Sequence, residues 1–417
     1  MATRKAKGTG SIRKVTKERN GKTYQYWEAT LTIGTDPGTG KQKRKTFSGK
    51  TQREVKEKLL QAAAAVDEGT FFEASKMTVK EWFETWLSAY MAAVKPLTVQ
   101  QYRSMAETHI YPALGAVPLS KLSAPQLQKF YNQLAVDGKT VRRKNSRTGK
   151  TEISKEPLSA KTIQNIHAII SKALNVAIDQ GMIKSNVAER VTTPRVFQEE
   201  VQPLTEEQQK AFLRAIKGHK YEKLYTVILF TGLREGEAVG LSWDCIDWKK
   251  GTLKVYRQLQ RNPEMWSEFR YVTLKNNKAR YIKLSPFVLS VLRDQKIKQN
   301  LERFAASELW EGFQTEKERE TYFIFTDKSG KHLNPAPVYE NFKKIAAQIG
   351  APKARIHDLR HTFAVNSLQC GDDVKTVQSN LGHATAAFTL DRYAHVSERM
   401  AEESARRQQE YIQTLIG

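Results

Sequence analysis

The run Leu224-Tyr225-Thr226-Val227-Ile228-Leu229-Phe230, followed by Thr231-Gly232-Leu233-Arg234-Glu235-Gly236-Glu237, decides how the second half of this chain is read. A stretch apolar on every side predicts a buried helix. Thr231-Gly232 ends it, because glycine tolerates the left-handed conformation that closes a helix. Leu233-Arg234 opens the next helix. An arginine beside a helix N-terminus lies where anions are already favoured. Glu237, three residues on, shares its helical face and is placed to orient Arg234 or a histidine. Taken alone, Arg234 and Glu237 read as a surface ion pair; the downstream sequence changes that.

Further along, His357-Asp358-Leu359-Arg360-His361 sets His357 and Arg360 three apart, on one helical face. Leu381-Gly382-His383 reads as a helix end, with Gly382 turning His383 inward. Tyr393 follows ten residues later in Asp391-Arg392-Tyr393-Ala394-His395. Two arginines, two histidines and one tyrosine suffice to open a phosphodiester without a metal. The planar guanidinium fork holds two phosphate oxygens and stays charged. Histidine moves a proton near neutral pH. A phenol, with a pKa of about 10, attacks once a base and cations assist it. The plainer readings are a structural histidine at position 383 and a core or surface tyrosine at position 393.

The order and spacing of Thr231–Glu237, 357–361 and 381–395 resemble the tyrosine recombinase (phage-type integrase) family. The resemblance implies that Tyr393 is the nucleophile, that Arg234 and Arg360 stabilise the charged phosphate, and that His383 contacts it. His357 manages the nucleophile's proton, with Glu237 in support. The family's leaving-group acid is a lysine on a β-hairpin, in a Lys-x-x-x-x-Arg pattern. Lys275 with Arg280 fits that pattern, and Lys278 competes for the role. The expected activity is integration and excision of a mobile element through a 3′-phosphotyrosine link, with no cofactor and no metal. Two readings compete: a type IB topoisomerase-like enzyme, and a non-catalytic basic DNA-binding regulator. A metal-dependent nuclease fits less well, since Glu237 and Asp358 have no partner at ligand spacing.

Composition agrees with a polyanionic partner. The chain has 417 residues and a formal charge of +24. Residues 1–60 hold 16 Lys and Arg against 5 Asp and Glu, which is +11 of that total. Such a balance favours double-stranded DNA over an anionic membrane. No apolar run reaches the roughly 18 residues that span a bilayer. The basic N-terminus lacks a secretory h-region. With Cys245 and Cys370 as the only cysteines, a reducing, bacterial cytoplasmic setting is expected.

A chain of this length predicts two or three domains. The expected class is mainly α with small β elements, an α+β arrangement. Residues 1–65 predict a three-stranded sheet plus a helix: a strand over 24–33, a turn at Asp36-Pro37-Gly38-Thr39-Gly40, a return strand over 41–47, and a helix from Thr51 to Ala65. This resembles an arm-type DNA-binding domain. Residues 77–190 predict four helices, which resemble the core-binding (SAM-like) domain that clamps DNA. Thr78 opens the first. Pro96 breaks the pattern, and Thr98 starts the second, which a loop at Pro112, Gly115 and Pro118 ends. Ser123 and Ser159 open the third and fourth, the last ended by Gly181. Between these two, residues 138–157 read either as a mobile loop, with a turn at Thr148-Gly149, or as an exposed basic hairpin. Residues 191–201 read as a linker.

Residues 203–417 predict a mostly helical catalytic domain with a β-hairpin region. Thr205 caps its first helix. Strands are expected over 252–258, 269–274 and 279–284, and residues 259–268 insert between the first two. That insertion resembles one in conjugative-transposon integrases. The tail 396–417 predicts a helix with Ile412, Leu415 and Ile416 at its end. By resemblance it docks into the next subunit of a homo-tetramer on DNA; packing in cis is the alternative. An accessory DNA-bending or excision factor is a further expected partner, alongside core and arm DNA sites.

Overall fold

The computed structural model describes residues 11–19, 22–35, 39–67, 76–144, 151–197, 202–265, 267–274, 277–383, 385 and 397–416. They fall into two compact units, residues 1–197 and 198–417. The class is mainly α with small sheets, as expected.

The first unit begins with three antiparallel strands in the order β1 (Ser11–Arg19), β2 (Lys22–Thr35), β3 (Gln42–Gly49). Alternation puts Ala29 and Leu31 on one face of β2. There they pack with Val55, Leu59 and Ala62 of helix α1 (Gln52–Asp67). Thr51 starts α1, its hydroxyl accepting from the Glu54 N–H at 3.2 Å. Residues 36–38 of the expected turn lie outside the described residues.

A separate apolar cluster holds the helices that follow. Helix α2 (Val79–Ala89) is opened by Thr78 and Glu81 in a capping box, and it buries Val79, Trp82, Phe83, Trp86 and Leu87. Trp82 is fully enclosed, and its Nε1 donates to the Ala173 carbonyl at 2.9 Å. Two expected breaks are corrected. Helix α3 (Pro96–Met105) begins at Pro96 rather than Thr98, because a proline in the first turn lacks only an N–H that has no partner there. Pro112 does not end the helix either. A π turn, Ala106–Ile110, leads directly into α4 (Tyr111–Leu114). The wider turn leaves room for the proline ring, which would otherwise meet a carbonyl four residues back.

Helices α5 (Ala124–Asp137) and α6 (Ala160–Asp179) complete the cluster with Leu127, Phe130, Ile163, Ile166, Ile170 and Leu174. Of the two readings for 138–157, the paired one is found: β4 (Lys139–Lys144) runs antiparallel to β5 (Thr151–Glu156). The Thr148-Gly149 turn lies outside the described residues.

In the second unit, Thr205 caps α7 (Glu206–Ala215). Helix α8 (Glu222–Thr231) is buried almost throughout, and α9 (Glu235–Val239) follows it. The expected strand over 252–258 is corrected to two. The first, β7 (Thr252–Val255), lies between β6 (Ile246–Asp247) and β10 (Arg280–Lys283). The second, β8 (Arg257–Arg261), leaves that sheet and pairs with β9 (Phe269–Thr273). Arg257 anchors this ribbon: its guanidinium lies 3.9 Å from the Tyr271 ring centroid and donates to Ser242 Oγ at 2.7 Å. The first three residues of the expected insertion therefore belong to β8, with Leu259 buried.

The remaining helices are α10 (Pro286–Ala306), α11 (Glu316–Glu320), α12 (Pro335–Gln348), α13 (Ile356–Gln369), α14 (Val374–Leu381) and α15 (Ser397–Ile416). Along α15, residues 405–416 are exposed, including Tyr411, Ile412, Leu415 and Ile416. No described helix is long and apolar enough to cross a membrane.

Truncating Trp82 to alanine removes a large enclosed ring and leaves the Ala173 carbonyl without its indole donor. It should lower the unfolding free energy of the helical cluster by about 3–5 kcal/mol. Denaturant titration followed by circular dichroism measures this; a loss below about 1 kcal/mol would contradict the packing described.

Candidate active site

The ends of α8 and α14, the start of α9, helix α13 and strand β10 build the site. Helix α8 closes at Gly232, whose φ of 64° is left-handed and whose N–H donates to the Ile228 carbonyl at 3.0 Å. A Cβ there would stand 2.4 Å from Phe363 and 2.8 Å from Leu381, so only glycine fits. Helix α14 closes in the same way at Gly382, also at φ 64°. Its two turn bonds, Gly382 N–H to Ser379 and His383 N–H to Gln378, form a Schellman end and place His383 just beyond the helix.

Arg360 joins these two ends. It is only 1% exposed. Its Nη1 donates to the Gly232 carbonyl at 2.7 Å, and its Nη2 to the Leu381 carbonyl at 2.6 Å. Carbonyls at helix C-termini lack intrahelical partners and carry partial negative charge, so a cation between them is favoured. Asp358 is a capping residue, not a free acid: it accepts from the Arg355 backbone N–H at 2.8 Å and from its guanidinium at 3.1 Å.

Arg234 precedes α9 and is held by Glu237. Its Nη1 donates to Glu237 Oε1 at 2.8 Å, and its backbone N–H to Oε2 at 2.9 Å. The arginine side chain is 29% exposed, while the Glu237 side chain is fully enclosed. A second arginine shares that carboxylate. Arg280 donates to Oε1 at 3.0 Å and to Oε2 at 2.6 Å, and its Nε donates to the Asn380 carbonyl at 2.8 Å. Burial alone would raise the Glu237 pKa. The hydrogen bonds and charge of Arg280, with the charge of Arg234, instead hold it down at about 2.

Both histidines sit under this positive potential. Burial lowers His357 to about 4, helped by the charges of Arg360 and Arg234. Burial lowers His383 to about 3, again with Arg360 and Arg234, and with His361 and His357. Both are therefore neutral imidazoles at pH 7. The His357 and His361 rings meet edge to face with centroids 4.7 Å apart. Glu235 is shifted the other way, up to about 7 by burial. Its buried Oε1 meets no hydrogen-bond partner among the described residues.

The structure thus brings Arg234, Glu237, His357, Arg360 and His383 together. Tyr393 and Lys275 lie outside the described residues, and Lys278 is described and exposed. Two neighbours went unrecognised in the sequence reading. Arg280 entered it only as part of a spacing pattern. The alternation of β10 points to its burial, since Arg280 and Ile282 face inward while Tyr281 and Lys283 face outward. His361 lies one turn after His357, on the same helical face. Among the described residues, no three His, Cys, Asp or Glu side chains are grouped to hold a metal ion.

Residues 194–400 match the phage integrase family model, and residues 78–135 match the N-terminal SAM-like domain model of phage integrases. A tyrosine recombinase XerC-like protein of Caldanaerobacter subterraneus subsp. tengcongensis is 26% identical over 393 residues, covering 91% of this chain and 94% of that protein. An integrase of Streptomyces ambofaciens is 28% identical over 404 residues, covering 94% of each. Among solved structures, the Tn1549 transposon integrase in complex with transposon right end DNA superposes with a TM-score of 0.61 at 21% identity, covering 79% of this chain and 99% of that one. At that identity the likeness speaks for the fold. The chain belongs to the phage integrase family of tyrosine recombinases, the site-specific recombinases of DNA.

Proposed function

We propose that this chain integrates and excises a mobile genetic element. One observation carries the reading: Arg234 and Arg360, from separate helices, act on the same two histidines. Two guanidiniums converging on neutral imidazoles suit a phosphate dianion-like transition state more than any uncharged substrate. In this reading Tyr393, ten residues after His383, attacks the scissile phosphorus. A bond forms from the phenolic oxygen to phosphorus, and the bond from phosphorus to the 5′ oxygen breaks. His357, neutral at pH 7, is in the form that accepts the phenol's proton. Lys275, or Lys278 in its place, gives a proton to the departing 5′ oxygen. Arg234, Arg360 and His383 hold the non-bridging oxygens. The 3′-phosphotyrosine conserves the bond energy, so rejoining needs no nucleotide cofactor.

The remaining parts follow the same reading. Residues 1–65 take the arm sites, 77–190 clamp the core site, and 203–417 cut. The basic strands β4 and β5 reach phosphates. The exposed apolar end of α15 docks into the next copy, giving a tetramer on DNA; Tyr411, Ile412, Leu415 and Ile416 are exposed together along one side of that helix, and such a contiguous apolar patch favours a partner over water. An accessory bending or excision factor sets direction.

A suicide substrate built from the element's own ends tests this. Native protein should yield a covalent adduct, and Tyr393→Phe should bind the same DNA within about twofold while yielding none. An adduct from the Phe variant would remove Tyr393 from the mechanism. Relaxation of any supercoiled plasmid by a monomer would favour the topoisomerase reading. Deleting residues 1–65 should leave cleavage of a core site intact and weaken binding elsewhere on the element; undiminished binding at every site would reject the arm assignment.

The histidines also set a pH dependence. The unfolded chain protonates them near pH 6.5, the folded chain only near 4 and 3. Stability from their neutral state is complete above pH 6.5 and is lost as pH falls below it. Glu235 works in the opposite sense between its usual 4.5 and about 7, so the comparison is with a variant. The thermal midpoint of native protein should drop more between pH 6.5 and 4.5 than that of His383→Asn. Parallel curves would mean that His383 is not held neutral by its surroundings.

A further inference from the structure

A buried carboxylate needs a counter-ion, and Glu237 has two. Arg234 alone would form a one-to-one pair at 2.8 Å. That pair would cancel the charge of a residue read above as binding phosphate. Arg280 changes the balance. It grips both carboxylate oxygens, at 3.0 and 2.6 Å, whereas the Arg234 guanidinium makes one contact with Oε1. Bidentate grip is the stronger of the two. The Arg280 side chain is 7% exposed, and all three of its nitrogens donate to protein acceptors, so it faces the protein and not the substrate.

We infer that Arg280 is a positioning residue for strand cleavage: it takes up the charge of Glu237, so that Arg234 keeps its own for the phosphate. Its bond to the Asn380 carbonyl also fixes the end of α14, three residues before His383. A Cβ on Gly382 would stand 3.1 Å from the Arg280 side chain, so strut and turn are closely packed. The inference rests on Arg234 being a phosphate-binding residue. Three arginines against one glutamate leave a surplus of two positive charges at the site. Removing the Arg280 charge leaves one, and removing the Glu237 charge as well restores two.

That arithmetic separates charge from scaffolding. In full-length protein, Arg280→Met should slow adduct formation on the suicide substrate by about 100-fold. It should weaken the binding of inorganic phosphate, measured by calorimetry, by about tenfold. Adding Glu237→Gln to it should recover about tenfold of the cleavage rate and most of the phosphate affinity. A purely structural strut predicts the reverse, since the double variant lacks more contacts than the single one. Arg280→Lys keeps the charge without the fork. It should hold phosphate affinity within about threefold of native, and it carries the test if Arg280→Met proves unfolded by circular dichroism. The inference fails if Arg280→Met cleaves and binds phosphate like native protein, if the double variant is no better than the single, or if Arg280→Lys is as defective as Arg280→Met. If native protein forms no adduct while the phosphate series behaves as stated, the recombinase roles above fail, and Arg280 keeps only its part in balancing the charge of Glu237 beside a bound phosphate.

Discussion

One enclosed carboxylate organises the second unit. Glu237 is bonded by Arg234, which caps its own helix, and by Arg280 from strand β10. Arg280 in turn reaches the end of α14 through Asn380. Three elements distant in sequence therefore depend on a single anionic group with no access to water. Such a group is costly unless its partners are all present, so the ion cluster is an all-or-none arrangement. It sets the sheet against the helices, and it does so beside the residues that would meet DNA.

Arg360 performs the complementary task with neutral partners. Its guanidinium bonds the terminal carbonyls of α8 and α14. The left-handed glycines at both ends aim those carbonyls inward. A guanidinium near phosphate is usually regarded as a ligand. Here it is also the pin between two helix ends. That place between two carbonyls explains why it is so deeply buried for a charged side chain.

Much of this was legible in the sequence. The all-apolar run before Gly232, the three-residue step from His357 to Arg360, and the glycine before His383 each carry a local rule, and each rule held. The capped helix starts at Thr78, Ser123, Ser159 and Thr205 were equally plain, because Ser and Thr caps serve helix-start N–H groups that have no partner within the helix. What failed was non-local or depended on a choice between neighbours. Pro96 reads as a break unless one knows that it occupies the first turn. Pro112 reads as a stop unless a π turn precedes it. The split of 252–258 at Tyr256 depends on which partner strand lies alongside, and composition does not say. Arg280 stood out only through its spacing from Lys275, at the start of an expected strand, because its counter-ion lies 43 positions earlier.

The neutral imidazoles carry a last implication, through reciprocity. Burial and two nearby cations discourage protons from His357 and His383. An anion seated between those cations cancels part of the field that repels the proton. Occupancy of the site and proton uptake are therefore thermodynamically tied, and each makes the other easier. An empty site stays unprotonated and without its acid form, while an occupied one charges more readily. The ligand would help to arm the site that holds it.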